Sequence, residues 1–498
     1  MAAARAALVC LTCKTRKKKC DKTLPSCGYC TAKRVRCVYP SPLTPAAETG
    51  ATSPSTTADT DAGTGTGGSP AARHVSVLRC AAPAADVRFA LNTVPTEPSA
   101  AAASLYLEAN RLIRATGRLL DEVCTRYRLG IHRHLPVICS ETFDDSLFTL
   151  ATAPPPDFSV LLVSICLITY FPEQAPQPAG AAATRATLDR TTLHLAARSL
   201  FAQVRVSFPP SVHLIQAGLL LAVYEYARGQ PDDAFASLAE CARMAYAARL
   251  CRSVSPPRPP YATLENAPSG SASSYLQAEE AANTWWGLII CERLPSEPEA
   301  LAQVNGPDLG LRPNFTVSSP TSEEVGGFGR AAQAALLLDQ VLRSFQTSSL
   351  DDRLVQLEGL DTALQTFLAV VMQQGHDKPS SFCGAIALAI RALFTLHSHV
   401  LDQPPQPVSA KLKSLDEWRR GSQAALDTIT KMVVDIADSH DNVPPDQVDA
   451  LPPSFSYAVR SALQHIHAKP HADTWLREAE ERLRKSLDRF DRRWGVRR

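Results

Sequence analysis

Six of the chain's 14 cysteines fall between positions 10 and 37: Cys10, Cys13, Cys20, Cys27, Cys30 and Cys37. Their spacing is a Cys-x2-Cys-x6-Cys unit that occurs twice. Two intervening residues let one turn present two thiolates to a single ion, and zinc takes four such ligands in a tetrahedron. Six thiolates cannot serve two tetrahedral ions separately, because that takes eight. The count closes when two of the six bridge both ions, and the repeat makes Cys10 and Cys27 the natural bridging pair. Two Zn²⁺ held this way still leave excess negative charge for neighbouring lysines and arginines to offset. Structural zinc in small domains is worth ~10–16 kcal/mol per site, so this head is expected to be unfolded without metal. A disulfide knot suits an exported chain better, and no export signal is visible here. Iron–sulfur clusters usually take four cysteines at other spacings.

A second chemistry lies between the cysteines. Lys14-Thr-Arg-Lys-Lys-Lys19 places five basic residues in six, and the matching stretch of the second half has three: Lys33, Arg34 and Arg36. A basic run is often a solvated face or a nuclear-import signal. Fixed on a metal scaffold, it becomes a constellation that can meet phosphates or the O6 and N7 acceptors of guanine in the major groove. The imbalance makes the first half the reader and the second its support. Both basic stretches are expected to form short helices.

The rest of the chain must position this head. Residues 1–40 carry ten Lys/Arg and one acid, a net +9 in a chain of +2, which leaves −7 on the other 458 residues. A basic head on a mildly acidic body implies that the head alone meets a polyanion. Residues 41–99 are rich in Ser, Thr, Ala, Gly and Pro and have too few large apolar residues to repay ordering, so they read as a flexible tether. No apolar heptad repeat follows the cysteines, which leaves a homodimer possible but unspecified. From 100 to 470 the pattern is helical, with apolar residues three and four apart in 105–128, 192–206, 211–226, 233–250, 275–293, 331–345, 354–374, 385–401 and 418–437. Pro-rich breaks at 172–178, 255–260, 403–407 and 444–453 separate them. The longest apolar run, 158–171, is 14 residues, the length of a buried helix rather than a membrane span. Residues 471–498 hold an amphipathic helix with apolar positions from Leu476 to Trp494, expected to pack on the body. The fold class is thus a small two-zinc cluster joined by a tether to a large all-α domain.

The head resembles the fungal zinc binuclear cluster DNA-binding domain. The likeness rests on Cys10-Leu-Thr-Cys13-Lys-Thr-Arg-Lys-Lys-Lys-Cys20-Asp21, on Leu24-Pro25-Ser26-Cys27-Gly-Tyr-Cys30 and on Cys37-Val-Tyr-Pro40. It implies two zinc ions, a turn at Pro25 joining two pseudo-symmetric halves, and recognition of a CGG-type triplet in promoter DNA. By position, Lys17 and Lys18 fall where the family contacts bases, with Lys14, Arg16 and Lys19 as phosphate or supporting groups. A second resemblance, over roughly 155–325, is to the fungal-specific transcription factor regulatory domain. It is carried by Leu214-Ile-Gln-Ala-Gly-Leu-Leu-Leu-Ala-Val-Tyr-Glu-Tyr226, by the stretch around Arg243, and by Glu279-Glu280, Trp285-Trp286 and Glu292-Arg293.

These readings point to a nuclear, sequence-specific regulator of RNA polymerase II genes with DNA and the transcription machinery as partners. Control of a secondary-metabolite pathway is permitted by the resemblance. The alternative is a zinc-dependent interaction scaffold that never reads DNA. No Gly-rich phosphate loop, nucleophile elbow or paired-carboxylate signature marks an enzyme. The pairs His132/His134 and His397/His399 do not face each other at helical spacing. Adjacent Trp285 and Trp286 cannot share a helix face, so one belongs in the core and the other against a neighbour.

Overall fold

The computed structural model describes residues 9–15, 18–23, 26–33, 37, 98–148, 154–171, 188–250, 269–293, 325–375, 379–404, 408–409, 413–441, 451–469 and 474–496. The chain divides into two compact units, Met1–Val75 and Ser76–Arg498. The tether read at 41–99 lies, but for its last two residues, outside the described residues.

The first unit holds two five-residue helices, α1 (Leu11–Thr15) and α2 (Gly28–Ala32). The second is helical throughout its described residues, with no strand among them. Its helices are α3 (Pro98–Ala115), α4 (Leu120–Leu129), α5 (Ser140–Phe148), α6 (Pro156–Thr169), α7 (Arg190–Ser207), α8 (Val212–Ala227) and α9 (Pro231–Ala247), followed by α10 (Ser269–Glu292) and α11 (Gly327–Ser344). The last five are α12 (Leu350–Gly375), α13 (Pro379–Leu401), α14 (Leu415–Asp441), α15 (Ser454–His467) and α16 (Thr474–Trp494).

Local chemistry sets several of these boundaries. The Asp189 carboxylate accepts from the Thr191 and Thr192 amides at the start of α7, and Ser211 Oγ accepts from Leu214 N at the start of α8, which satisfies amides that have no partner within the helix. Pro156 and Pro231 open α6 and α9, where a missing N–H costs nothing. The single helix expected over 105–128 is two helices. Gly117 takes φ +72° between them, and Thr116 Oγ1 bonds back to Ile113 O at 2.6 Å, so the first helix ends in a glycine turn. Two helices escaped the periodicity. Helix α5 is short, and α15 starts directly after Pro453, at the end of the Pro-rich break at 444–453.

The core is built on helices buried all round. Every residue from Phe158 to Thr169 of α6 is buried, as is α8 from Leu214 to Glu225. Helix α16 presents Ala479, Leu483, Phe490 and Trp494 to this core, Trp494 at 0% exposure. Its penultimate residue closes the far end of α6, with Arg493 Nη2 donating to Ile168 O at 2.9 Å and Nη1 to Tyr170 O at 3.3 Å. Those carbonyls are ones a helix C-terminus leaves open. Helices α12 and α13 have the length and hydropathy of membrane spans. The α13 window is 72% buried inside the protein, which makes it a core helix, whereas that of α12 is only 33% buried.

Buried polar groups are tied in networks. Glu280 accepts from Cys139 N (3.1 Å), Thr142 Oγ1 (3.1 Å) and Gln216 Nε2 (3.0 Å). Gln216 also donates to Val137 O at 2.6 Å. Together these pin the segment before α5 against α8 and α10. Glu225, fully buried, is held by Arg198 and His194 at 3.0 Å and by Ser237 at 2.7 Å. A buried carboxylate is tolerated only with partners of this kind.

Candidate metal centre and nucleic-acid interface

Each half of the head repeats one local design. Helix α1 carries Cys13 one turn beyond Cys10, so Cys13 N–H donates to Cys10 Sγ at 3.4 Å and Lys14 N–H to Cys10 O at 3.0 Å. In the second half Cys30 N–H donates to Cys27 Sγ at 3.5 Å and Thr31 N–H to Cys27 O at 3.0 Å. The third cysteine of each half comes back to the first. Cys27 N–H donates to Cys37 Sγ at 3.3 Å, and the Cys10 amide bonds Cys20 in the same way.

The sulfurs form two groups of four, each within 4.8 Å: Cys10, Cys13, Cys20 and Cys27, and Cys10, Cys27, Cys30 and Cys37. Cys10 and Cys27 belong to both. The Sγ–Sγ distances are 3.7 Å for Cys10–Cys27 and Cys10–Cys30, 3.6 Å for Cys13–Cys27 and 3.8 Å for Cys10–Cys20. Four sulfurs about 2.3 Å from one tetrahedral ion lie about 3.8 Å apart, so both groups fit zinc. Burial among other thiols pushes Cys10 and Cys13 up, and Cys30 up to about 12. Amide donors act the other way. The Cys10 amide brings Cys20 down to about 6, and Cys37, although burial opposes it, falls to about 7 under the Cys27 amide. A buried cluster of this kind needs a cation to carry its thiolates.

The halves are joined by a residue that the ligand count passed over. The Asp21 carboxylate accepts from Gly28 N–H with both oxygens at 3.0 Å and from Thr23 N–H at 3.4 Å. The Gly28 amide holds its carboxyl below the usual range. A side chain at position 28 would displace this carboxylate, because a Cβ there would lie 2.7 Å from Asp21 Oδ2. Lys22 turns the chain at φ +62°, an unusual conformation for a residue with a Cβ. The visible signal was a lone acid in a basic segment and a glycine directly after Cys27.

Of the basic residues expected to meet DNA, Lys14, Lys18 and Lys19 are exposed, while Arg16 and Lys17 lie outside the described residues, as does Pro25. The described helices centre on Cys13 and Cys30, where chelate spacing bends the chain into a turn between paired cysteines, and residues 16–17 and 34–36 of the basic stretches lie outside the described residues. Lys18 stands beyond α1 and closes it with an N–H bond to Cys13 O at 2.9 Å.

In the body, Cys124, Cys166, Cys241 and Cys291 are singly buried, and burial pushes each thiol up. Cys139 and Cys383 are half-buried, and Cys80 and Cys251 lie outside the described residues. Trp285 is fully buried against Tyr246, and Trp286 packs at the core's edge. The histidine pairs part company. His397 bonds Ser422 at 3.2 Å while His399 stacks on Phe345, and His132 sits against Tyr127.

No curated protein matches the chain. Residues 125–294 match the fungal specific transcription factor domain, beginning and ending some 30 residues before the stretch read from sequence. Residues 8–46 match the fungal Zn(2)-Cys(6) binuclear cluster domain. Both are domains of transcription factors, not of enzymes, and the binuclear cluster domain binds zinc. The chain thus couples a fungal Zn(2)-Cys(6) binuclear cluster domain to a fungal specific transcription factor domain, the make-up of a fungal transcription regulator.

Proposed function

We propose that Cys10, Cys13, Cys20, Cys27, Cys30 and Cys37 hold two zinc ions, with Cys10 and Cys27 shared between them. The head so formed reads a CGG-type triplet in the major groove of promoter DNA. Lys17 and Lys18 are assigned to base edges, and Lys14, Arg16 and Lys19 to phosphates or support. The carrying observation is that two four-sulfur groups share Cys10 and Cys27 beside the exposed Lys14, Lys18 and Lys19. The protein acts in the nucleus on RNA polymerase II genes, and a secondary-metabolite pathway is a target class that the family resemblance permits. Residues 1–40 form the cluster domain, 41–99 the tether, 100–470 the regulatory body and 471–498 its closing helix.

The test is a randomised-oligonucleotide selection with the full zinc-loaded chain, alongside its zinc content. Two zincs per chain and an enriched triplet are expected, with binding that weakens steeply as salt rises and loses sequence preference on Lys17→Ala. Two zincs with no enriched sequence would favour the interaction scaffold.

A further inference from the structure

The two halves of the head match at an offset of 17 residues, Cys10 to Cys27, Cys13 to Cys30 and Cys20 to Cys37. Their sulfur environments follow one plan until the third cysteine. Apart from neighbouring thiols, Cys20 Sγ accepts from two backbone amides, those of Cys10 and Lys22. Cys37 Sγ accepts from the Cys27 amide at 3.3 Å and from a side chain, the hydroxyl of half-buried Ser26. Behind Ser26 stands Thr31 of α2, whose Oγ1 lies 3.3 Å from Ser26 Oγ and 3.1 Å from Cys27 O. A hydroxyl has one proton to give and two lone pairs to offer, and a thiolate can only accept. Ser26 therefore gives its proton to Cys37 and accepts from Thr31. By the same offset the counterparts of this pair in the first half are Val9 and Lys14, neither of which bears a hydroxyl.

We infer, on the two-zinc reading proposed for the head, that Ser26 backed by Thr31 is a positioning residue that holds Cys37 on its ion. That ion is the one bound among Cys10, Cys27, Cys30 and Cys37, the second of the two sulfur groups. A hydrogen bond to a ligating atom fixes its direction toward the metal, and losing such an outer partner typically costs about 10–100-fold in metal affinity. The bond is stronger where the acceptor is charged, as a zinc-bound thiolate is. The two ions are thus retained by different means. Cys20 is tied by backbone amides, which no side-chain substitution removes, whereas Cys37 depends in part on one hydroxyl. The half with fewer basic residues, where Thr31 stands in the place of Lys14, spends that position on holding its metal.

Titration of the full zinc-loaded chain with a chromophoric chelator tests it. The unmodified chain is expected to release two zincs. Ser26→Ala should weaken one of them by about tenfold or more and leave the other nearly unchanged. Ser26→Thr, which keeps the hydroxyl, should restore it, and Val9→Ala, at the matching place in the first half, should alter neither. Pulsed alkylation with N-ethylmaleimide, read by mass spectrometry, identifies the ion. In Ser26→Ala, Cys30 and Cys37 should be labelled first, while Cys13 and Cys20 stay protected as in the unmodified chain. Should Ser26→Ala hold no metal at all, Thr31→Val replaces it; it removes only the donor behind Ser26 and should give the same labelling order with a smaller loss of affinity. Equal release from Ser26→Ala and the unmodified chain, a Ser26→Thr as weak as Ser26→Ala, or labelling that starts at Cys13 or Cys20 overturns the inference. An unmodified chain that holds fewer than two zincs overturns the two-zinc reading itself, and this inference with it.

Discussion

Both carboxylate oxygens of Asp21 lie 3.0 Å from the amide nitrogen of Gly28, joining the end of one cysteine repeat to the first helix of the next. Neither residue belongs to the sulfur groups. The contact therefore sets how the two halves sit without contributing a metal ligand. Gly28→Ala should keep the zinc content and lower DNA affinity by about tenfold, since the Cβ displaces the carboxylate. Asp21→Asn should do so less, because an amide oxygen still accepts. Metal analysis beside fluorescence anisotropy on the selected DNA separates the two effects, and loss of zinc in Gly28→Ala would show that the contact is structural instead.

Chelation should act on the head alone. Helices α1 and α2 have five residues each, and their fold depends on the thiolate cluster. Excess chelator is expected to abolish DNA binding while the far-ultraviolet dichroism of the intact chain barely changes. Zinc added back should restore binding.

Trp494 is fully buried against Tyr224 and Phe490 near the end of α16. Trp494→Ala should cost about 3–5 kcal/mol of stability in the body, read from urea unfolding. Arg493→Ala removes the donors to Ile168 O and Tyr170 O and should cost about 1–3 kcal/mol. A body that unfolds as before without residues 474–498 would contradict this account of α16.

Asp157 links the starts of α6 and α8. It accepts from Phe158 N at 2.9 Å and from Ser211 Oγ at 2.6 Å, with His213 at 3.6 Å. Burial works against its charge, but the bonds from His213 and Ser211 outweigh it and leave the carboxyl below its usual range. A depressed folded pKa means that the contribution is complete above the unfolded value, about 3.9, and is lost as pH falls through the folded one. Asp157→Asn should lower stability at neutral pH and flatten the acid limb of a stability–pH curve. An unchanged acid limb would assign that limb to other carboxylates.

Two glycines should respond oppositely to alanine. At Gly359, where no described residue crowds the position, Gly359→Ala should stabilise the body by about 0.5–1 kcal/mol. At Gly218, a Cβ would stand 2.4 Å from Cys241 Sγ and 2.8 Å from the Phe201 ring, so Gly218→Ala should destabilise by about 1–3 kcal/mol. Thermal melts of both variants, taken at low concentration, give the comparison.

What the sequence determined by itself was local. The Cys-x2-Cys-x6-Cys repeat is a chelate pattern whose geometry is set within a turn, so the gathering of the thiols and the sharing of Cys10 and Cys27 were legible before any coordinates. The helices of the body were legible for the same reason, since a 3.6-residue period is a property of consecutive side chains. Tertiary structure decided what depends on partners distant in the chain. The Asp21–Gly28 contact needs both halves folded on their ligands. The break at Gly117 overrode an unbroken apolar pattern, because one helix could not follow the core through that turn. Arg493 found its partners more than 300 residues away in α6, and no periodicity encodes that distance.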